Sequence, residues 1–499
     1  MSERTVQAGA ARPERSRSAL AVLVLLLVAA TAIRLVNLGE GLWLDEITTF
    51  VKYARPPFAE IVTTFDSENQ HFLYSLLAHA CFAVFGETVW ALRLPAVLFG
   101  VGSIAALYLL GREVTRPREA LLAAAFLTFS YHHVWFSQNA RGYSGLLFWS
   151  LLSSWFFVRA LRDGRTSDWT GYALAAALGV YTHLTMVFVV SGHFLSFAIR
   201  AVRWRNDRTR VLKGVGVGFA GAVTVTLLLY APVLGDIRTG MSNTLTGVAG
   251  MWNSPLWTLR ELFAGLSIGF SQALVMAIGL VVTGAGTVDY LRRRPVVAEL
   301  AVFGPAIGAA VSLALSHPIW PRFFLFAMGF VALLIFRGIA VLAGAAGRFL
   351  RVPPGRLPFV EVAAGAALVV VSALAVPRAW GPKQDFTGAM EYVEANRRPG
   401  DAVATVSLTV FAYSQYFRTD WQPVASPEAL DSLRRSAGRT WIVYTLPQVL
   451  EVNDPALMAA IDGGFRIVRE LGGTLGDGEI YVGLAERPAS DPNPKGEPR

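Results

Sequence analysis

The stretch "ALAVLVLLLVAATAIRLVNL", residues 19–38, decides the class of this protein. It supplies the roughly 20 apolar residues that a helix needs to cross a bilayer. A basic tail with Arg4, Arg12, Arg15 and Arg17 precedes it, as in a signal peptide. The apolar core of a signal peptide is usually only about 7–15 residues long, however. We therefore interpret 19–38 as an uncleaved first membrane span.

The rest of the chain repeats this composition. Of the 499 residues, 54% are hydrophobic and 16% are charged, against roughly 25% charged residues in soluble domains. The same length criterion predicts about eleven spans, at 19–38, 93–111, 119–136, 143–162, 169–183, 184–202, 212–233, 272–290, 296–315, 321–341 and 359–377. We expect an α-helical polytopic membrane domain over 19–377, after a cytoplasmic basic tail at 1–18.

The arginines indicate how the chain threads the membrane. With the N-terminus inside, every strongly basic loop falls on the inner side, as the positive-inside rule requires. This agreement holds only if "HFLYSLLAHACFAVFG" (71–86) does not cross, and 16 residues with two histidines are few for a crossing. We predict that it lies in the outer leaflet. The topology accounts for the net charge of +9, so we expect no nucleic-acid partner.

The composition changes after Ala379. A helix is predicted within "DFTGAMEYVEANRRPGD" (385–401), and another within "SPEALDSLRRSAG" (426–438). Strands are predicted in four apolar runs, "AVATVSL", "TWIVYTL", "FRIVREL" and "IYVGLAE". We expect a small extracytoplasmic α/β domain at 378–487 and a disordered, proline-rich tail at 488–499.

Two adjacent carboxylates stand in the first outer loop, 39–92. Asp45 and Glu46 occur in "GLWLDEITTF" (41–50). If this segment is helical, they point about 100° apart and must have different roles. The simplest role for Asp45 is a helix cap, which is worth about 1 kcal/mol.

Cations on the same predicted face give the pair a chemical context. Arg93, Arg141 and Arg322 stand at outer ends of spans, and His71 and His183 stand at the same level. Taken singly, each arginine could reach lipid headgroups. Arginine is rare on the outer side, however, and a guanidinium matches a phosphate through two parallel hydrogen bonds. Together these side chains predict that a lipid-linked phosphate binds in one outward-facing pocket.

Several stretches form an ordered set: "LWLDE", "QHFLYSLLAHACFAVFGET", "WALRLPAVLFG", "LLGREV", "SQNARGYSGLLFW", "YTHLTMVF" and "PRFFL". In this order they resemble the membrane-embedded C-type (GT-C) glycosyltransferases of the glycosyltransferase 39-like group, which includes protein O-mannosyltransferases and aminoarabinose transferases. The resemblance covers about residues 19–345. Where this family commonly shows a "HPPLY"-like stretch, the chain has "QHFLY", which lacks the prolines and keeps His71 and Tyr74.

The resemblance implies a GT-C fold and a sugar transfer at the outer face of the cell membrane. The donor would be a sugar on a polyprenyl phosphate, and the acceptor a hydroxyl of a glycan, lipid or protein. Asp45 would be the general base of an inverting displacement, and Glu46 would support the loop or a neighbouring cation.

The remaining site residues follow from the same chemistry. The candidate ligands of the donor phosphate are Lys52, Arg93, Arg141 and Arg322. The supporting residues are His71, Tyr74, Asn139, Tyr143 and His183. A divalent cation is left open, with Asp45, Glu46 and His71 as the only candidate ligands.

Two other functions would also involve a lipid-linked sugar. A transporter or flippase of lipid-linked sugars would also need cations near phosphate, but transporters usually place polar groups at mid-membrane in repeated halves, which the sequence lacks. A ligase or polymerase with a lipid-pyrophosphate donor would need a large, charged late outer loop, and 234–262 is sparse in charge. Cys81 is the only cysteine, which excludes an intrachain disulfide and C-x-x-C chemistry.

Overall fold

The computed structural model describes residues 17–67, 69–204, 206–237, 272–315, 320–476 and 478–486. Three long parts of the chain lie outside these residues: 1–16 of the predicted basic tail, the segment 238–271, and the predicted disordered tail at 488–499. The described residues form two compact units. The first unit is drawn from Met1–Val36, Pro95–Ala231 and Ser254–Pro377, and the second from Asn37–Leu94, Pro232–Asn253 and Arg378–Arg499.

Long apolar helices make up most of the chain. Within the described residues, nine are long and apolar enough to cross a membrane: Arg17–Leu35, Val89–Val114, Tyr143–Asp163, Met186–Arg203, Arg208–Ile237, Leu274–Arg293, Pro295–Ala314, Pro321–Phe349 and Pro354–Trp380. They coincide with nine of the predicted spans. The polytopic helical class is thereby confirmed.

Two predicted spans take a different form. The segment 119–136 is divided between the helices Pro117–Thr128 and Tyr131–Ser137, of 12 and 7 residues. The segment 169–183 forms the helix Thr166–Thr182, whose 17 residues extend about 26 Å. Since about 30 Å of hydrocarbon must be crossed, neither meets the length criterion on its own. The number eleven therefore stays a prediction.

Small residues let two helices of the first unit approach backbone to backbone. A Cβ atom added at Gly286 would lie 1.9 Å from the carbonyl oxygen of Leu334, and one at Gly338 would lie 1.9 Å from that of Val282. Only glycine permits this approach. Such close contacts at small residues are common between helices in lipid, because the hydrophobic effect does not favour helix association there.

The second unit contains a five-stranded mixed sheet. Its strands are β1 (Ala402–Val406), β2 (Gln422–Val424), β3 (Arg439–Thr445), β4 (Arg466–Leu471) and β5 (Ile480–Glu486). Their order is β2-β1-β3-β5-β4, with β1 parallel to β2 and β3, and β5 antiparallel to β3 and β4. The four predicted strands are confirmed. The sequence did not predict β2, because it is three residues long and contains a proline, as edge strands can.

Helices accompany the sheet and form the first outer loop. Around the sheet lie Phe386–Asn396, Leu408–Phe411, Ala412–Tyr416, Pro427–Ser436, Pro447–Asn453 and Pro455–Gly464. The loop folds as Leu44–Thr48, Thr49–Ala54, Phe58–Thr63 and Phe72–Phe85. The last of these has 14 residues and is about 21 Å long, too short to cross the bilayer. Its predicted place in the outer leaflet stays a prediction.

Candidate active site

The acidic pair lies on a helix that starts as an α-helix and continues as a π-helix. Leu44–Thr48 is α-helical, and Thr49–Ala54 follows as a π-helix without a break. The apolar side chains Ile47, Phe50 and Ala54 of this helix are buried. The N-cap residue is Trp43, whose side chain makes no capping bond. Asp45 is therefore inside the helix, and the simple explanation that it caps the helix does not hold.

The two carboxylates lie in different environments. Asp45 is half-buried, whereas Glu46 is fully buried and forms a two-pronged ion pair with Arg93. Arg93 Nε donates to Glu46 Oε1 over 2.8 Å, and Arg93 Nη2 donates to Oε2 over 2.6 Å. The pairing agrees with the expectation that Glu46 supports the loop or a neighbouring cation.

All five guanidinium N–H groups of Arg93 donate hydrogen bonds within the second unit. A guanidinium has five N–H groups, and two of those of Arg93 bind Glu46. The other three donate to the carbonyl oxygens of Leu38, Glu40 and Gly41 over 3.0, 2.8 and 3.0 Å. No N–H group is left for a phosphate, so Arg93 does not fit its predicted role as a ligand of the donor phosphate. It fixes the start of the outer loop instead.

The same ion pair bears on the predicted metal ligands. Both carboxylate oxygens of Glu46 already accept hydrogen bonds from Arg93, so Asp45, Glu46 and His71 do not fit together as a ligand set. Within the residues that the structure describes, no group of three or more His, Cys, Asp or Glu side chains could hold a metal ion.

The other predicted residues of the second unit have structural contacts. Lys52 Nζ forms an ion pair with Asp66 over 3.0 Å, and both side chains are partly exposed. Such a pair is worth only about 0–1 kcal/mol. Tyr74 is fully buried and donates to the carbonyl oxygen of Leu92 over 2.7 Å. His71 is buried at the start of the helix Phe72–Phe85.

The predicted residues of the first unit form a cluster of their own. The guanidinium carbon of Arg141 lies 5.4 Å from the ring centre of Tyr143, and the Tyr143 ring lies 4.8 Å from that of His183. Both Arg141 and Arg322 lie within electrostatic range of His183. Asn139 is fully buried in the turn before Arg141. Its backbone carbonyl oxygen accepts a hydrogen bond from the backbone amide of Arg141 over 2.7 Å. The cluster is thus two arginines around a tyrosine and a histidine.

Short connections place these side chains. Asn139 and Arg141 stand between the helices Tyr131–Ser137 and Tyr143–Asp163, and His183 stands directly after Thr166–Thr182. Arg322 is on the 3₁₀ helix Pro321–Ala327. Helix ends leave the backbone free to turn, so residues distant in sequence come together there.

Two residues beside the acidic pair were not predicted from the sequence. Lys383 and Gln384, in the segment that enters the C-terminal domain, are 5% and 1% exposed. Burial lowers the pKa of Lys383 to about 7, while Glu46 raises this pKa and Arg93 lowers it. The only signal in the sequence is that lysine is rare in this chain, at 52, 213, 383 and 495. Nothing in it connects Lys383 to a loop more than 300 residues earlier.

Comparisons with known proteins agree with this architecture. Residues 69–235 match the family described as dolichyl-phosphate-mannose-protein mannosyltransferase. An undecaprenyl phosphate-alpha-4-amino-4-deoxy-L-arabinose arabinosyl transferase of Pseudomonas paraeruginosa is 29% identical over 42% of this chain and 39% of its own. A putative mannosyltransferase of Bacillus subtilis is 23% identical over 43% of this chain and 30% of its own. The matched region thus spans well under half of these relatives.

Solved structures extend the likeness to nearly the whole chain. The crystal structure of ArnT from Cupriavidus metallidurans bound to undecaprenyl phosphate superposes with a TM-score of 0.55 at 14% identity, covering 93% of this chain and 97% of that one. The archaeal oligosaccharyltransferase AglB from Archaeoglobus fulgidus gives 0.51 at 14% identity, covering 95% and 74%. At this identity the likeness shows the fold. The resemblance that the sequence motifs indicate is confirmed, and the chain is an integral membrane protein of the GT-C fold.

Proposed function

We propose that this chain, which has the GT-C fold and matches the mannosyltransferase family over residues 69–235, is a glycosyltransferase with a lipid-phosphate donor. It would move a sugar from a polyprenyl phosphate to an acceptor hydroxyl on the outer face of the membrane. Relatives named as arabinosyl and mannosyl transferases support the class of reaction. A GT-C neighbour solved with undecaprenyl phosphate supports the class of donor.

The observation that carries the proposal is the difference in burial and ion pairing between Asp45 and Glu46. Glu46 is buried and occupied by Arg93, whereas Asp45, one residue earlier, is half-buried. A carboxylate in this position can accept a proton without breaking the ion pair that holds the loop. We therefore assign Asp45 as the general base.

The reaction is a single displacement. The acceptor oxygen bonds to C1 of the sugar while the bond from C1 to the phosphate oxygen breaks, and the electron pair leaves with the lipid phosphate. Asp45 takes the proton of the acceptor hydroxyl, a contribution of about 10²–10⁴-fold in rate. Attack on the face opposite the leaving group inverts the anomeric centre.

The departing phosphate gains negative charge as the bond breaks. Cations directed at it stabilise the transition state more than the bound donor, and so raise the rate. Arg141 and Arg322 suit this role because they share one cluster with Tyr143 and His183. Lys52 stays a candidate because its pairing with Asp66 is exposed and weak.

The test is cleavage of the donor by the purified chain in nanodiscs. A panel of polyprenyl-phosphate sugars is incubated with the protein, and mass spectrometry detects the free lipid phosphate and the released or transferred sugar. Transfer or hydrolysis is the expected result. An intact donor that only changes leaflet would identify a lipid-linked-sugar transporter instead.

Asp45→Asn tests the assigned base in the same assay. The amide cannot take a proton, so kcat is expected to fall at least about 100-fold while the KM for the donor changes little. Asp420→Asn is the matched control, an exposed carboxylate of the C-terminal domain, and it should leave both constants unchanged. Full activity in Asp45→Asn would show that the base is another group.

A further inference from the structure

A residue from far along the chain holds the first turn of the helix that carries Asp45. The amide of Leu44 donates to Oε1 of Gln384 over 3.3 Å, across 340 positions of sequence. The first amides of a helix have no partner inside the helix and need an acceptor from elsewhere. The side chain of the N-cap residue, Trp43, supplies no acceptor, and Gln384 therefore caps the helix in its place.

The side chain of Gln384 is itself fixed to the sheet. It is 1% exposed, and its Nε2 donates to Thr445 Oγ1 over 3.3 Å, at the end of β3. The Thr445 hydroxyl donates in turn to the carbonyl oxygen of Glu479 over 2.8 Å. One end of the Gln384 amide therefore binds the helix of Asp45, and the other binds the sheet.

The backbone beside Gln384 is held as well. The carbonyl oxygens of Pro382 and Lys383 accept bonds from the amides of Thr474 and Leu475, over 2.8 and 3.1 Å. A Cβ atom at Gly473 would lie 2.1 Å from the Lys383 oxygen, so only glycine fits. The residues Gly473, Thr474 and Leu475 thus pack against the segment that presents Gln384.

The π-helical part of the same helix also contacts the C-terminal domain. The ring of Phe50 meets that of Tyr416 edge to face, with centres 5.3 Å apart. Lys52 Nζ lies 5.8 Å from the ring centre of Phe411. The domain therefore contacts the helix at both ends, through Gln384 at the first turn and through aromatic side chains further on.

We propose that Gln384 is a positioning residue for Asp45, and that the C-terminal domain sets the place of the catalytic carboxylate through it. This rests on the function proposed above and gives the C-terminal domain a role in it. A catalytic group displaced by about 1 Å can lose about 100-fold in rate. Gln384 touches neither donor nor acceptor in this scheme, and acts only through the Leu44 amide.

The experiment replaces Gln384 by methionine, which keeps the length and volume of the side chain but removes both hydrogen bonds. In Gln384→Met, kcat for donor cleavage is expected to fall roughly 10- to 100-fold with the KM for the donor within about twofold. Amide hydrogen exchange of the peptide 42–54 should become faster. Gln422→Met is the control, the same change at an exposed site on β2, and should alter nothing.

Thr445→Val provides a second, smaller change. It removes the hydroxyl that accepts from Gln384 Nε2 and donates to the carbonyl oxygen of Glu479, and it leaves the Leu44 bond, so a smaller fall in kcat is expected. The double variant with Gln384→Met should be no slower than Gln384→Met alone, because both changes act through one contact.

The outcomes separate the two proposals. Unchanged kcat and exchange in Gln384→Met, or a rise in KM alone, would overturn the positioning role. A lower kcat without faster exchange at 42–54 would overturn it too. If Gln384→Met does not fold, the same readouts on Thr445→Val decide. If the wild-type chain cleaves no donor, the proposed function fails, and the exchange measurement alone decides whether Gln384 holds the helix.

Discussion

Asp45 and Glu46 are neighbours in sequence, and chemically similar, yet Asp45 is half-buried and Glu46 is fully buried. The sequence predicts that they point apart, because successive residues of a helix are rotated by about 100°. It also predicts that Glu46 supports the loop or a cation, and the buried pair with Arg93 agrees with this. Arg93 itself was predicted to bind phosphate. Its five N–H groups are used within the loop, which no sequence pattern reveals.

The Glu46–Arg93 pair predicts an asymmetric response to mutation. Glu46→Ala leaves a buried guanidinium without its counter-charge and should destabilise the protein by about 3–5 kcal/mol. Adding Arg93→Met removes that uncompensated charge, so the double variant should recover part of the loss. Thermal unfolding of both variants in nanodiscs measures the difference.

A control and a contrary result define this test. Arg397→Ala breaks the surface pairs with Glu394 and Asp420, each of which is worth about 0–1 kcal/mol. A Glu46→Ala variant as stable as Arg397→Ala would mean that the buried pair does not hold the loop.

Arg141 should affect donor binding. If Arg141 binds the donor phosphate as proposed, Arg141→Ala removes charge-assisted hydrogen bonds, each worth about 1.5–3 kcal/mol, and the KM for the lipid donor should rise roughly 10- to 100-fold. Steady-state kinetics with a polyprenyl-phosphate sugar measure it. Arg348→Ala, an exposed arginine at a predicted inner loop, is the control. An unchanged KM in Arg141→Ala would remove Arg141 from the donor site.

At the scale of elements, helices and strands follow from local patterns where these are long. Nine apolar runs became helices able to span a membrane within the described residues, and four strands stand where the sequence places them. The segment 119–136 failed as a single helix, since hydrophobicity does not show the break after Thr128. The π-helix at Thr49–Ala54 also has no signature in composition.

The close helix pair of the first unit predicts a position-specific effect of alanine. Gly338→Ala places a Cβ atom 1.9 Å from the Val282 carbonyl oxygen, so the helices must separate, and roughly 1–3 kcal/mol or more should be lost. Gly344→Ala, on the same helix, meets its nearest atom at 3.8 Å and should be neutral or up to about 1 kcal/mol stabilising. Thermal unfolding compares the two. Equal stability would contradict the close contact.

At the scale of the whole molecule, the threading decides which loops share a face. The first outer loop and the C-terminal domain belong to one compact unit, joined by the bond from Leu44 to Gln384. With the other spans as predicted, a crossing by the helix Phe72–Phe85 would place the C-terminal domain on the inner side, away from the first outer loop.

Single-cysteine labelling tests the threading directly. In a Cys81→Ser background, Glu40→Cys and Asp420→Cys should both react with an impermeant maleimide on intact cells. Arg351→Cys, in a predicted inner loop, should react only after permeabilisation. Labelling of positions 40 and 420 from opposite sides would contradict this threading, and the proposed outward-facing site would be lost with it.

The sequence by itself determined the membrane class, most of the helices, the small sheet domain and the resemblance to GT-C transferases. These depend on apolar length, periodicity and ordered motifs, which are properties of short segments. Only the tertiary structure decided the partners: Glu46 with Arg93, and Gln384 with the amide of Leu44. A hydrogen bond depends on positions within about 3 Å, and residues 340 apart reach such positions only when the chain is folded.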